Sequence, residues 1–459
     1  MQSQKLLLKL KQASAEAKKN NYIKSISLCK NIIKKEPKNI AAYKLLATNF
    51  IKLNRLDEVE LTLKKVLKLI TVEAEKQPLL HLLGCNYIHQ EQHEKALTIL
   101  EALFNQTGDS KVLLDIALAY SNLGQYENAR AVYLKLIELE PNNDQAKFNL
   151  YPILLHLKEY QDAWVCFHSR LQRAEIKEQV HWFAPAWNGE SLVGKNILIY
   201  PEQGIGDNLA YTGCFAEAIA DANKTYIVCD NRLKALYQHN FPTANILSYA
   251  DVNREQAVNG ELDLQILAGS LSYLYRLSEQ SFSKQRHLSI DNSLRESISI
   301  RLSKKRLRIG ISWFHGRMND GNKFSMYLEE LLPLLKHEDI EWVNLQFGEY
   351  HQEIENIKAK HGITITHFED CSAAGDFERY GALIANLDLV ISASNAALML
   401  ASRLGIKSWM FLPTINQLNH PDSYLDSHWT KNCRLFYQNN DKDWGGVVQQ
   451  FCDAIKLLK

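Results

Sequence analysis

Four short stretches of this chain gather residue types that can act on a charged or hydroxylated substrate. The first spans residues 200–215, YPEQGIGDNLAYTGCF, directly after an apolar run. A strand, a Gly-x-Gly turn and a helix start expose backbone N–H groups to an anion. Gly204 and Gly206 let the backbone approach a ligand, and Asp207 falls in the first turn of the helix. A carboxylate there can cap the helix, or can take a proton from a hydroxyl as a general base. Glu202 and Gln203 share the turn and can face the same cleft. The second stretch, SWFHGRMNDGNKFSM, gathers His315, Arg317, Asn319 and Lys323 in a loop after a strand. Such donors suit a departing phosphate, on which negative charge develops, or else form a solvated basic loop. In the third, SASNAALML, Ser394 and Asn395 stand at a helix start, either as an anion site or as a plain cap. In the fourth, NLQFGE, Gln346 ends a strand and can read a nucleotide base or ribose. The D-x-D at Asp441-Lys442-Asp443 fits the start of the last helix better than an Mg²⁺ or Mn²⁺ site, so no metal is expected.

The elements that must hold these residues alternate between strand and helix. After a boundary at residues 183–195, marked by Pro185 and two glycines, strands are expected at 196–200, 225–229, 245–247 and 262–267. A basic helical connector, LRESISIRLSKKR, then leads to strands at 307–313, 342–346, 363–366, 387–392 and 407–412. Two consecutive sets imply two doubly wound parallel sheets, whose ligands sit at the carboxyl ends of the strands.

The first 175 residues have a different logic, a repeat with a period near 34. Starts at Leu6, Ile40, Gln77, Ser110 and Asp144 place Tyr22, Leu56, His93, Tyr126 and Tyr160 at the seventeenth position. Small or β-branched residues, Ser25, Val59, Ala96, Ala129 and Ala163, then occupy the twentieth. Pro37 and Pro141 mark helix ends, and Gly84 and Gly124 mark close contacts or turns. Helix pairs of this kind stack into a superhelix with an extended concave surface, which binds a peptide or protein, or else serves as a spacer.

The 459 residues exceed one ordinary core, and the formal net charge of +1 supplies no general field for nucleic acid or an anionic membrane. Eight cysteines without a C-x-x-C pair argue against a zinc site or a disulfide framework and fit a reducing cytoplasm. The N-terminal apolar stretch is too short and lysine-interrupted for a signal peptide core, and no stretch is long enough for a membrane span.

The repeat resembles the tetratricopeptide repeat, in about five copies over residues 1–176. WNGESLVGKNILIYPEQGIGDNLAY, RIGISW with its downstream ND and K-x-S, WVNLQFGE and LDLVISASNAALMLASRLGIKSWMFLP resemble the ordered motifs of bacterial tetratricopeptide-repeat glycosyltransferases. The catalytic half of that family is similar to heptosyltransferases and the GT-B superfamily. The resemblance implies an α plus α/β chain: a repeat superhelix, an acceptor lobe over 177–300 and a nucleotide-sugar donor lobe over 301–459. It implies metal-independent transfer, no cofactor, and Asp207 as general base. Gln203, Gly204, Gly206, His315, Arg317, Asn319, Lys323, Gln346, Ser394 and Asn395 would bind substrate or donor. Lys323 replaces an arginine of the pattern, and Met399 a histidine, which points away from an ADP-heptose donor. The implied partner is flagellin, recruited by the repeats and modified on Ser or Thr with a CMP-linked nonulosonic acid such as pseudaminic acid. Two alternatives are a transferase on lipid-linked or polysaccharide acceptors and a catalytically decayed peptide-binding scaffold.

Overall fold

The computed structural model describes residues 2–202, 204–252, 260–304, 306–315, 324–348, 350–413, 432–439 and 443–458. They form two compact units, Met1–Ile153 and Leu154–Lys459. Among the described residues no helix is long and apolar enough to cross a membrane.

The first unit is built from helix pairs. The helices are α1 (Gln2–Lys18), α2 (Tyr22–Lys35), α3 (Ile40–Lys52), α4 (Leu56–Leu67), α5 (Glu73–His89), α6 (His93–Thr107), α7 (Leu113–Asn122), α8 (Tyr126–Leu139) and α9 (Asp144–His156), and the repeat spacing continues in sequence through α10 (Tyr160–His168). The seventeenth-position residues of the repeat are the first residues of α2, α4, α6, α8 and α10. The twentieth-position residues Ser25, Val59, Ala96, Ala129 and Ala163 are all 0% exposed, and in the first four pairs a larger side chain there would hold the paired helices apart. Ser25 fits by spending its hydroxyl inside: it donates to Ala13 O at 2.8 Å and accepts from Asn49 Nδ2 at 2.8 Å, joining the first two pairs. At Gly84 an added Cβ would lie 2.4 Å from Leu100 Cδ2, so the glycine sets how closely α5 meets α6.

The turn inside each pair has one backbone form. Asn20, Asn54, Glu91, Gly124 and Lys158, all fifteenth in their repeats, have φ of 62°, 54°, 58°, 70° and 63°. A left-handed residue there reverses the chain in three or four residues, and only one of the five is glycine.

The second unit carries two parallel sheets. β1 (Asn196–Tyr200), β2 (Lys224–Cys229), β3 (Asn245–Ser248) and β4 (Leu264–Leu267) lie in the order β3-β2-β1-β4. β5 (Leu307–Ser312), β6 (Ile340–Asn344), β7 (Ile365–Thr366), β8 (Leu389–Ser392), β9 (Ser408–Leu412) and β10 (Cys433–Tyr437) lie in the order β10-β9-β8-β5-β6-β7. All strand pairs are parallel. Nine strands fall on the expected runs, β1 with the expected ends and the others with ends moved by one or two residues, and β10 is additional. β1 and β8 are buried almost throughout, as expected of central strands covered on both faces. Strand order reverses between β1 and β4 and between β5 and β8, the places where folds of this kind bind ligands at the carboxyl ends of the strands.

Helix α10 belongs to the second unit. Trp164 Nε1 donates to Arg276 O at 2.6 Å, and the Tyr160 and Phe282 rings lie 5.6 Å apart. Just beyond α10, Arg170 forms a bidentate pair with Glu202 at 2.8 and 2.5 Å, with both side chains 1% exposed.

Candidate functional site

One cavity of about 400 Å³ lies at the carboxyl ends of the central strands of both sheets. Gly204, Ile205 and Gly206 enter it from the loop after β1, and Ser312 and Phe314 from the end of β5. Leu345, Gln346 and Phe347 follow β6, and Asn395, Ala396 and Ala397 follow β8. Its size suits a small organic ligand. The two helix starts that border it, Ile205–Tyr211 and Ala396–Arg403, pack close together: a Cβ on Gly206 would sit 3.7 Å from Ala396 N.

Around β1 the residues separate by role. Gly204 is the N-cap of the helix Ile205–Tyr211, and Asp207, two residues beyond Ile205, reaches back so that its Oδ2 accepts from Gly204 N at 3.0 Å. Asp207 is half-buried, and its carboxylate orients the glycine turn from inside the helix. Glu202 does not face the cleft. It is buried, and besides Arg170 it accepts from Gly269 N at 3.0 Å, while Arg170 also donates to Ser270 Oγ at 2.8 Å. The turn after β1 is therefore anchored by a buried ion pair, while Gly204 and Gly206 line the cavity. Gln203 lies outside the described residues.

Near β5 and β8 the polar groups knit the two strand exits together. Gln346, 8% exposed, accepts from Phe314 N at 2.8 Å and Ser312 Oγ at 3.1 Å and donates to Phe347 O at 2.9 Å. Its amide thus holds the exit of β5 against that of β6. Asn395 caps the helix Ala396–Arg403, its Oδ1 accepting from Ala397 N at 3.0 Å and Leu398 N at 3.4 Å. Its Nδ2 donates to Ser312 Oγ at 2.8 Å. Side-chain capping takes two of the orphan N–H groups, and Ala396 N lies beside Gly206, where an added Cβ would be 3.7 Å from it. His315 Nδ1 contacts the backbone oxygen of Ser394, and His315 N donates to Ser325 Oγ at 2.9 Å. Arg317, Asn319 and Lys323 lie outside the described residues, as do Asp441 and Lys442.

Two features of the cavity have no counterpart in the sequence reading. Arg232, three residues beyond β2, is the one charged side chain among the described residues lining it. It is held by Asp230 through Nε and Nη2, each at 3.0 Å, and Nη1 donates to Ala373 O at 3.2 Å. Hydrogen bonding to Arg232 holds the Asp230 carboxyl below its ordinary value. The position of Arg232 at a strand's carboxyl end was the available signal. The second feature is an aromatic wall of Phe314, Phe347, Phe377 and Tyr380, with the Tyr380 hydroxyl donating to Leu345 O at 2.8 Å. These rings come from three separate segments, so no local spacing announces them. Met399, in the helix Ala396–Arg403, is buried.

The arrangement brings two helix starts, aromatic side chains and one arginine to a single crevice, while Asp207 is not among the residues that line it. Comparison with known proteins gives a tetratricopeptide repeat match over residues 110–143, the fourth helix pair. The chain is similar to Protein FlbA of Caulobacter vibrioides (strain ATCC 19089 / CIP 103742 / CB 15), 25% identical over 324 residues that cover 66% of this chain and 54% of that one. It thus spans about half the length of that relative. Among solved structures it is similar to MamA of Desulfovibrio magneticus RS-1, at 16% identity and a TM-score of 0.32, covering 39% of this chain and 98% of that one. It is also similar to a thermophilic TPR protein of Thermus thermophilus, at 17% identity and a TM-score of 0.32, covering 37% and 91%.

Proposed function

We propose that this chain is a metal-independent glycosyltransferase with two GT-B lobes, 177–300 and 301–459, that modifies a protein recruited by its repeats. One observation carries the reading: the exits of β1 from one sheet and of β5, β6 and β8 from the other line a single cavity of about 400 Å³. A donor sugar nucleotide places its base against the aromatic wall and its phosphate toward Ala396 N and the glycine turn. The acceptor hydroxyl approaches Asp207, which takes its proton as the new glycosidic bond forms and the nucleotide departs. The family resemblance makes flagellin Ser or Thr the acceptor and a CMP-linked nonulosonic acid the donor, in the cytoplasm.

A nucleotide-binding scaffold without transfer is the second reading. It is favoured by the geometry of Asp207, whose carboxylate is already engaged at Gly204 N. Melting curves with CMP, UDP, GDP and ADP, followed by intact-mass analysis of flagellin incubated with CMP-pseudaminic acid, test the proposal. A nucleotide at a hundred times its dissociation constant adds about 2.7 kcal/mol of stability. A shift together with a sugar mass on the acceptor supports transfer, a shift without that mass supports the scaffold, and no shift with any nucleotide refutes both.

A further inference from the structure

Three side chains of different metal-binding chemistry meet between the third and fourth helix pairs. His81 and Cys85 lie four residues apart on α5, a spacing that puts both on one helix face. Asp115 comes from the first turn of α7, the first helix of the next pair. His81 Nε2 is 2.7 Å from Asp115 Oδ2, Cys85 Sγ donates to the same oxygen at 3.4 Å, and all three ligand atoms lie within 4.8 Å of one another. The His81 and Asp115 side chains keep 30% and 23% of their surface exposed, so an ion can reach them without unfolding the repeats.

We propose that His81, Cys85 and Asp115 bind one Zn²⁺ ion, which clasps α5 to α7 and leaves a fourth position open to water or to a side chain of a bound partner. The donor set decides the metal class. Thiolate and imidazole select zinc and its neighbours, whereas Mg²⁺ and Ca²⁺ require oxygen ligands. Zinc–ligand bonds of about 2.0 to 2.3 Å in tetrahedral array separate ligand atoms by roughly 3.3 to 3.6 Å. The Cys85–Asp115 distance already matches that, and the His81–Asp115 pair must open by about 0.6 Å, a small rotation of a partly exposed imidazole. A thiolate and a carboxylate balance the two charges of the cation. Three protein ligands and one open position form the pattern of zinc sites that accept an outside ligand. A C-x-x-C pair is therefore not needed here, because the pitch of the repeat supplies the third ligand from thirty residues away.

The test uses the full chain freed of metal by a chelator, then titrated with Co²⁺ in the absorption spectrometer and with Zn²⁺ against a chromogenic chelator. One equivalent of Co²⁺ should produce a thiolate-to-metal charge-transfer band that Zn²⁺ abolishes, and Zn²⁺ should protect Cys85 from alkylation in peptide mass spectra. Cys85→Ser should remove the band. His81→Gln and Asp115→Asn should weaken Zn²⁺ by at least the roughly ten- to hundredfold that loss of a supporting partner costs in other sites. Far-UV dichroism and melting of each variant check the fold, and His81→Gln, at a partly exposed position, keeps the test decisive if Cys85→Ser unfolds. No band with excess Co²⁺, a band that survives Cys85→Ser, or Zn²⁺ affinity unchanged in His81→Gln overturns the proposal.

Discussion

Replacing Gly206 by alanine separates the cavity from the stability of the fold. Gly206 is the second residue of the helix Ile205–Tyr211, its φ is not in the left-handed range, and an added Cβ would meet Ala396 N at 3.7 Å and Ala396 Cα at 3.8 Å. Those are ordinary van der Waals contacts, so the methyl fits without moving backbone. It lies, however, over the donor left open by the Asn395 cap. Alanine also favours the helix by up to about 1 kcal/mol relative to glycine, with less expected in a first turn. The free protein should therefore melt at the same temperature or slightly higher. Loss of a charge-assisted phosphate contact is worth about 1.5 to 3 kcal/mol, or roughly ten- to a hundredfold in affinity. At a nucleotide concentration that gives the native chain about 2.7 kcal/mol, the variant should retain only about 1.4 to 0.4 kcal/mol. Differential scanning fluorimetry with the nucleotide that stabilises the native chain reads both quantities. A lower melting temperature without ligand would show that the turn itself demands glycine. An undiminished ligand shift would show that no anion sits over Ala396 N.

Further tests follow from other contacts. Asp207→Asn keeps a hydrogen-bond acceptor for Gly204 N but cannot take a proton, so transfer should drop about a hundred- to ten-thousandfold by product mass spectrometry with nucleotide binding retained; native turnover would leave Asp207 as a structural residue only. Glu202→Gln strands the buried Arg170 charge and should cost about 3 to 5 kcal/mol in urea unfolding, whereas Arg170→Met combined with Glu202→Leu should recover most of that; equal losses in single and double variants would contradict the role of the pair. Burial depresses the pKa of His156, His168 and His367 below the ordinary 6.5, so the unfolded chain binds more protons. Stability should then fall as pH drops through about 6.5 toward the folded values, and His168→Gln should flatten that slope in urea titrations at several pH values; a slope of the opposite sign, or one unchanged in the variant, would count against it.

How much of this was legible in the sequence depends on whether the determining contacts are local. The first residues of α2, α4, α6, α8 and α10 and the buried small residues of those helices are readable because one repeat imposes one spacing five times. The left-handed turns at Glu91 and Lys158 are not, since neither residue favours φ near 60°. Stacking of the pairs fixes the reversal there and absorbs a strain of order 1 kcal/mol that glycine avoids at Gly124. Strand β10 escapes notice for a related reason: it is an edge strand whose Cys433 and Arg434 are not buried, so it lacks the continuous apolar run that marks β1 and β8.

The site divides along the same line. Gly204, Gly206 and Asn395 announce themselves because strand–turn–helix is a local event with its own residue preferences. Glu202 sits in the same turn, yet its fate is decided by Arg170, thirty-two residues earlier and just past α10. The aromatic wall, Arg232, and the meeting of His81 with Asp115 likewise depend on which strands and helices become neighbours. The parts of a site that a sequence displays are those that shape the backbone toward a ligand. The parts that choose among ligands come from elements far apart in the chain. That is why the Gly206→Ala experiment, which alters a displayed residue, tests whether an anion binds at the turn, while a test of what else the cavity accepts must alter Phe314, Phe347 and Phe377.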